Sequence, residues 1–102
     1  MRSAQVRQVF DAGRSLHAGR VVLFLAPGSG RSAVVATRRV GGAVERNRAR
    51  RILRAAWREV APQDGNDNDV VLVAREAIEG AKTQDLVADM TELFRRGEVM
   101  RA

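Results

Sequence analysis

The stretch Ala43–Val60, AVERNRARRILRAAWREV, decides the fold of this 102-residue chain. At about 100° per residue, its apolar and basic residues separate onto opposite arcs, which is the pattern of an amphipathic helix. The apolar arc comprises Ala49, Ile52, Leu53, Ala56 and Val60. Two glycines precede the stretch and Pro62 follows it, so we expect the helix to coincide with it. Trp57 lies between the arcs, where its ring can anchor the helix against a sheet.

Three apolar segments predict strands around this helix. Arg20–Ala26, RVVLFLA, and Ser32–Thr37, SAVVAT, are rich in β-branched and aromatic residues. Between them, Pro27–Gly30 has the composition of a tight turn, which predicts that the two strands form a hairpin. Val70–Ala74, VVLVA, is apolar throughout, as expected for a strand that is buried on both faces.

Two further helices complete the prediction. Ser3 is a candidate N-cap for the first, and Gly13 stands where a left-handed residue would end it. Its apolar residues, spaced by three and four, are Val6, Val9 and Phe10. The last helix is expected over Thr83–Arg96, with Leu86, Met90, Leu93 and Phe94 on one side. The order α-β-β-α-β-α, without a long linker, predicts one domain of mixed α/β (α+β) class over residues 1–102.

The composition excludes several classes of chemistry. The chain has no cysteine and one histidine, His17, so it offers no disulfide, thiolate metal site, cysteine nucleophile or pair of imidazole ligands. No apolar run approaches the roughly 20 residues that span a bilayer, and the first residues lack the apolar region of a secretory signal. We therefore expect a soluble, cytoplasmic protein. His17 itself is interpreted as a surface residue.

Positive charge is concentrated in Arg38–Arg58. This segment holds eight of the eighteen basic residues and one acid, Glu45, so it carries +7 while the rest of the chain sums to −1. A solvated helix face normally intersperses acids among its basic residues, but none occurs between Arg46 and Arg58. Such a concentration of arginine is typical of a surface that binds nucleic acid.

The segment Val35–Arg54, VATRRVGGAVERNRARRILR, closely resembles the signature of the protein subunit of bacterial ribonuclease P. The resemblance extends to Phe10–Ser15, to the two strands VVLF and VVLVARE, and to Leu93–Arg96. It implies a two-layer sandwich like the second domain of ribosomal protein S5, with a left-handed βαβ crossover. It also implies a ribonucleoprotein whose RNA subunit, with Mg²⁺ held mainly by that RNA, removes the 5′ leader from precursor tRNA.

The resemblance further implies two RNA-binding surfaces, with one protein per catalytic RNA. The residues that match the contact to the catalytic RNA are Arg38, Arg39, Arg46, Asn47, Arg48, Arg50, Arg51 and Arg54. Phe10 and Phe24 match the aromatic positions of a cleft for the single-stranded leader, although plain core positions are an alternative for both. Val6 stands where the family commonly has another aromatic residue. No catalytic or metal-binding residue is assigned to the protein.

Other interpretations stay open at this point. The acids Asp64, Asp67 and Asp69 are most simply read as a solvated loop. A ribosome-associated RNA-binding protein without enzymatic function has the same composition and fold class. A basic helix lying on an anionic membrane is a third possibility, and it requires that the apolar side of the helix be free.

Overall fold

The computed structural model describes residues 3–61 and 68–97, apart from the side chains of Phe94 and Arg96. Its helices are α1 (Ser3–Ala12), α2 (Ala43–Val60) and α3 (Thr83–Gly97), and a short 3₁₀ helix spans Glu76–Ile78. Its strands are β1 (Arg14–His17), β2 (Val21–Pro27), β3 (Ser32–Val35) and β4 (Asn68–Ala74). The predicted mixed α and β class is confirmed, and α2 has the predicted bounds.

The strands of the described residues form one sheet in the order β1-β2-β4-β3. β4 pairs antiparallel with β2 along its whole length and parallel with β3. The predicted hairpin between β2 and β3 is therefore wrong, because β4 lies between them. After α2, the chain enters the sheet at this central position as β4. A central strand is buried on both faces, which agrees with the apolar sequence VVLVA. The left-handed sense of the β3–α2–β4 crossover stays a prediction.

The predicted element order also lacks one strand, β1. Its four residues, RSLH, are largely exposed and pair with β2 at the edge of the sheet. A short edge strand with one large apolar residue has almost no periodicity to detect. The order is therefore α-β-β-β-α-β-α, with the 3₁₀ turn before α3.

Gly13, between α1 and β1, does not have the left-handed backbone that the sequence predicted. A Cβ atom at this position would lie 2.3 Å from the carbonyl oxygen of Leu25 and 2.4 Å from that of Val9. The N–H of Gly13 also donates to the carbonyl of Val9 at 2.8 Å. Glycine is required here because the end of α1 passes directly over the backbone of β2.

The two faces of the sheet carry cores of different size. Helices α2 and α3 cover one face, where the fully buried side chains include Leu23, Leu53, Leu72, Leu86 and Met90. Burying one such side chain contributes about 1.5–3 kcal/mol to folding. On the other face, α1 places Val9 against Ala26 and Val71 in a small cluster. This second face is only partly covered, which leaves room beside α1.

Asp69 is the single buried charged side chain among the described residues. Its Oδ1 accepts hydrogen bonds from the N–H groups of Ser29 and Arg31 at 3.1 and 3.0 Å. Its Oδ2 pairs with the Arg31 guanidinium at 3.2 Å. The prediction that this acid belongs to a solvated loop is wrong for Asp69, which ties the β2–β3 loop to the start of β4. Asp64 and Asp67 lie outside the described residues.

The loop geometry explains Gly28 and sets the pKa of Asp69. A Cβ atom at Gly28 would lie 2.3 Å from the Asp69 carboxyl carbon, so only glycine leaves room for the carboxylate. Burial by itself raises the pKa of Asp69, but the hydrogen bonds from Arg31 and Ser29 and the charge of Arg31 outweigh it. The net effect lowers the pKa below its ordinary value of 3.8.

We predict that Asp69→Asn lowers the free energy of unfolding at neutral pH by about 1–3 kcal/mol, because an amide cannot accept the guanidinium bond as a carboxylate does. A pKa lowered by folding stabilises the protein above pH 3.8, and this contribution is lost as the pH falls through the folded-state value. The variant should therefore lose less stability on acidification than the parent. Urea unfolding across the acid range measures both effects.

Asp11→Asn is the matched control, because it removes the same charge from an exposed position of α1. Equal loss of stability in the two variants, with the same acid sensitivity as the parent, would show that the Asp69 hydrogen bonds do not stabilise the fold.

Candidate nucleic-acid interface

Helix α2 begins at a turn that requires glycine. Gly41 has a φ of +143°, and a Cβ atom there would lie 2.9 Å from the Cβ of Glu45. The Glu45 carboxylate accepts a hydrogen bond from the N–H of Gly42 at 2.8 Å. A carboxylate in the first turn also interacts favourably with the helix dipole. The one acid of the basic segment therefore serves to start the helix.

The two sides of α2 have the predicted character. Ala49, Ile52, Leu53 and Ala56 are buried against the sheet and α3. The exposed residues of the basic side include Asn47, Arg51, Arg54 and Arg58. Trp57 is half-buried and packs against the main core, as expected for an anchor at the border of the two sides. The apolar side is thus occupied, which removes the free face that a membrane-surface helix would need.

Three arginines of α2 are held by hydrogen bonds. Arg46 donates to the carbonyl of Gly41 at 3.0 Å, and Arg50 donates to the side chain of Asn47. Arg48 donates to the carbonyl of Ala81, in the connection before α3. Arg48 therefore lies at the opposite margin of the helix from Arg46 and Arg50, although the three are close in sequence. We call the outward surface formed by residues 46, 47, 50, 51, 54 and 58 the arginine face.

The arginines of residues 38–58 have no carboxylate within 4.0 Å among the residues that the structure describes. The ion pairs found there join other residues: Arg20 to Asp89, Arg31 to Asp69 and Arg95 to Glu92. Like charges four residues apart destabilise a helix by roughly 0.2–0.5 kcal/mol per pair. A polyanion bound to the arginine face would relieve this repulsion.

Arg38 and Arg39 extend the positive surface beyond α2. They are exposed in the turn between β3 and α2, where Gly41 donates to the carbonyl of Arg38 at 3.2 Å. Both line an open cavity of about 670 Å³, together with Arg75 at the end of β4. Sequence reasoning missed Arg75. Its position directly after β4 could have predicted this. Parallel strands such as β3 and β4 end at the same edge of the sheet, so a residue after β4 is expected near Arg38 and Arg39.

Phe10 and Phe24 meet on the partly covered face of the sheet. Their ring centroids are 4.8 Å apart with an edge-to-face angle of 74°. Phe10 keeps 39% of its surface exposed, whereas Phe24 is half-buried in the smaller cluster. Beside Phe10, a groove of about 660 Å³ runs between α1 and the segment Ala33–Val35, and Val6 contributes to its wall. The structure therefore presents Phe10 to the groove and uses Phe24 to support it.

The remaining sequence predictions concern His17, metal binding and membrane-spanning helices. His17 is exposed in β1, with its ring nitrogen 3.1 Å from the Ser15 hydroxyl. Among residues 3–61 and 68–97, no three His, Asp or Glu side chains lie close enough together to hold a metal ion. Nor does any helix in these ranges have the length and apolar character needed to cross a membrane.

Known proteins that are similar to this chain identify its family. The family model described as Ribonuclease P matches residues 1–98. The chain belongs to the ribonuclease P protein family. The ribonuclease P protein component of Chloroflexus aurantiacus is 39% identical over 106 residues, which covers 99% of this chain and 78% of that protein.

Two solved ribonuclease P proteins have the same fold. The Staphylococcus aureus protein superposes with a TM-score of 0.82 at 16% identity, covering 99% of this chain and 95% of that one. The Thermotoga maritima protein gives 0.76 at 21% identity, with 94% of each chain covered. The chain is therefore a subunit of ribonuclease P, a tRNA-processing endoribonuclease. A ribosome-associated protein without enzymatic function is not favoured.

Proposed function

We propose that this subunit binds the catalytic RNA through its arginine face and the 5′ leader of precursor tRNA through the groove beside Phe10. The observation that carries the proposal is the arginine face itself, exposed on α2 with no acidic partner among the described residues. The catalytic RNA performs the hydrolysis. The protein positions the substrate.

Phosphate contacts explain the composition of the arginine face. A helix of 18 residues is about 27 Å long, so its guanidinium groups can meet several successive phosphates of a folded RNA. Guanidinium groups bind phosphate oxygens in a bidentate geometry, which fixes the docked orientation as well as the affinity. Such contacts position the protein and carry little base specificity. Arg38 and Arg39 continue the surface, and Arg48 adds positive charge at the far margin.

The groove beside Phe10 suits a single strand. Base stacking on an aromatic ring is worth roughly 1–3 kcal/mol and tolerates any base, as an enzyme that processes many precursors requires. Phe10 is the exposed ring and Phe24 fixes its orientation from below. Because Val6 replaces a family aromatic residue in the same groove, one stacking position is absent from this wall. Arg7, also at the groove, supplies positive charge for the leader backbone.

Mg²⁺ belongs to the RNA in this proposal. No step is assigned to a metal ion held by the chain. One protein per catalytic RNA is expected, because the arginine face is a single surface. The expected location is the cytoplasm, where bacterial precursor tRNA is processed.

Reconstitution tests the proposed function. We predict that adding the chain to a bacterial ribonuclease P RNA at low Mg²⁺ raises the rate of 5′ cleavage of a precursor tRNA, since its positive charge offsets repulsion between the two RNAs. Cleavage assays with RNA alone, protein alone and both together measure this. Cleavage by RNA-free protein, or no stimulation at any Mg²⁺ concentration, would contradict the proposed division of labour.

We predict that Arg50→Gln combined with Arg51→Gln weakens binding to the catalytic RNA, because each arginine neutralises a phosphate. The slope of log affinity against log salt should fall by roughly 0.7–0.9 for each phosphate that is no longer neutralised. Filter binding over a range of salt concentrations measures the slope. Arg95→Gln is the matched control, because it removes a charge from an exposed position of α3. If the slope is unchanged in the double variant, these arginines do not touch phosphate.

We predict that Phe10→Ala reduces affinity for leader-bearing precursor by roughly 5- to 150-fold in the reconstituted enzyme, equivalent to about 1–3 kcal/mol of stacking. Mature tRNA has no single strand to stack, so its affinity should stay the same. Val44→Ala, at an apolar position of α2 that is 75% exposed, is the control. Equal losses for precursor and mature tRNA would remove Phe10 from the leader site.

A further inference from the structure

A third groove lies between the edge strand β3 and the C-terminal half of α2. It has a volume of about 190 Å³ and is lined by Ser32, Ala33, Val34, Arg54, Trp57 and Arg58. None of these six residues is acidic, and two are exposed arginines. Its walls are three residues of β3 and about one turn of α2, a length that suits a single nucleotide better than a duplex. The groove lies on the α2 side of β3 and shares Ala33 and Val34 with the groove beside Phe10, so the two grooves meet at this edge of the sheet.

The aromatic wall of this groove is Trp57. Its position on α2 places Arg54 three residues before it and Arg58 directly after it, so positive charge lies on both sides of the ring. Trp57 is half-buried, with part of its surface packed on the main core. A packed indole is held in one orientation, which lowers the entropy that a stacking ligand must overcome.

The opposite wall is the open edge of the sheet. Within the part of the chain that the structure describes, β3 pairs with β4 alone, and the carbonyl of Arg31 accepts a hydrogen bond from the N–H of Val70 at 2.9 Å. Main-chain groups of alternate residues face opposite sides of a strand. The N–H and C=O groups of Ser32 and Val34 therefore point away from β4 and toward the groove. They offer a donor and an acceptor in the spacing of an extended strand.

We propose that this groove binds one unpaired nucleotide of the catalytic RNA. The base lies against Trp57, its polar edge meets the open main-chain groups of β3, and the adjacent phosphates pair with Arg54 and Arg58. The charge favours RNA over an added peptide strand, because a peptide brings no phosphate to the two guanidinium groups. The inference rests on the proposed docking of α2. It extends the arginine face toward β3 through Trp57 and gives Arg58, at the end of that face, a defined phosphate to bind.

Trp57 reports on this groove directly, because the chain has one tryptophan and no tyrosine. The test is a titration of the full chain with ribonuclease P RNA, followed by intrinsic fluorescence and by binding. We expect strong quenching of the Trp57 emission at saturation and reduced access of acrylamide to the ring. The same titration with Arg95→Gln, at an exposed position of α3, should give the same quenching.

Substitutions separate stacking from charge. Trp57→Leu should weaken RNA binding by roughly 5- to 150-fold, and Trp57→Phe, which keeps an aromatic ring, should recover most of that loss. Arg58→Gln should reduce the salt slope by roughly 0.7–0.9, with Arg95→Gln as the control. Arg58 is exposed, so this variant stays informative even if Trp57→Leu fails to fold.

The outcomes distinguish the two proposals. If the RNA binds, but Trp57 emission is unchanged and Arg58→Gln behaves as the parent, the nucleotide site is wrong while the proposed function stands. If the RNA fails to bind at all, the proposed function itself is wrong. Emission that changes with protein concentration in the absence of RNA would place a second copy of the chain on β3, which also overturns the nucleotide site.

Discussion

The burial of one side of α2 is the constraint on which the rest of the molecule depends. Ile52, Leu53 and Ala56 enter the main core, where Leu53 and Ala56 have no exposed surface. A helix that buries these residues can rotate very little about its axis. Its arginines must therefore leave the helix in fixed outward directions, and hydrogen bonds also hold the side chains of Arg46 and Arg50. Groups that are held before binding lose less entropy when they bind an anionic partner.

The two faces of the sheet carry different surfaces. One face receives α2 and α3, and among the described residues the other face receives α1 alone. Because α1 covers only part of this face, Phe10 stays exposed and a groove runs beside it. The arginine face lies with the main core and the exposed Phe10 ring with the smaller cluster, so the two surfaces of the proposed function lie on opposite sides of the sheet. In that proposal, a folded RNA and a single strand occupy separate surfaces.

Much of this arrangement is readable from the sequence, and the failures have physical causes. The bounds of α2 follow from its own residues, because glycines precede it and its periodicity is strong. The hairpin was wrong because strand pairing depends on β4, which lies far along the chain. Asp69 was misread for the same reason: its partners, Ser29 and Arg31, are about forty residues away. The position of Arg48 does follow from helical spacing, because two residues at about 100° each place it on the opposite margin from Arg46; its acceptor, the carbonyl of Ala81, is distant in the sequence.

The central position of β4 also has a consequence for biosynthesis. β2 and β3 both lack the strand that lies between them until Asn68–Ala74 has been made. The nascent polypeptide cannot close its sheet while the ribosome has made only the N-terminal two thirds, even though α2 is complete by then. The basic segment therefore emerges before the core that holds it, and the positive charges repel one another during this interval.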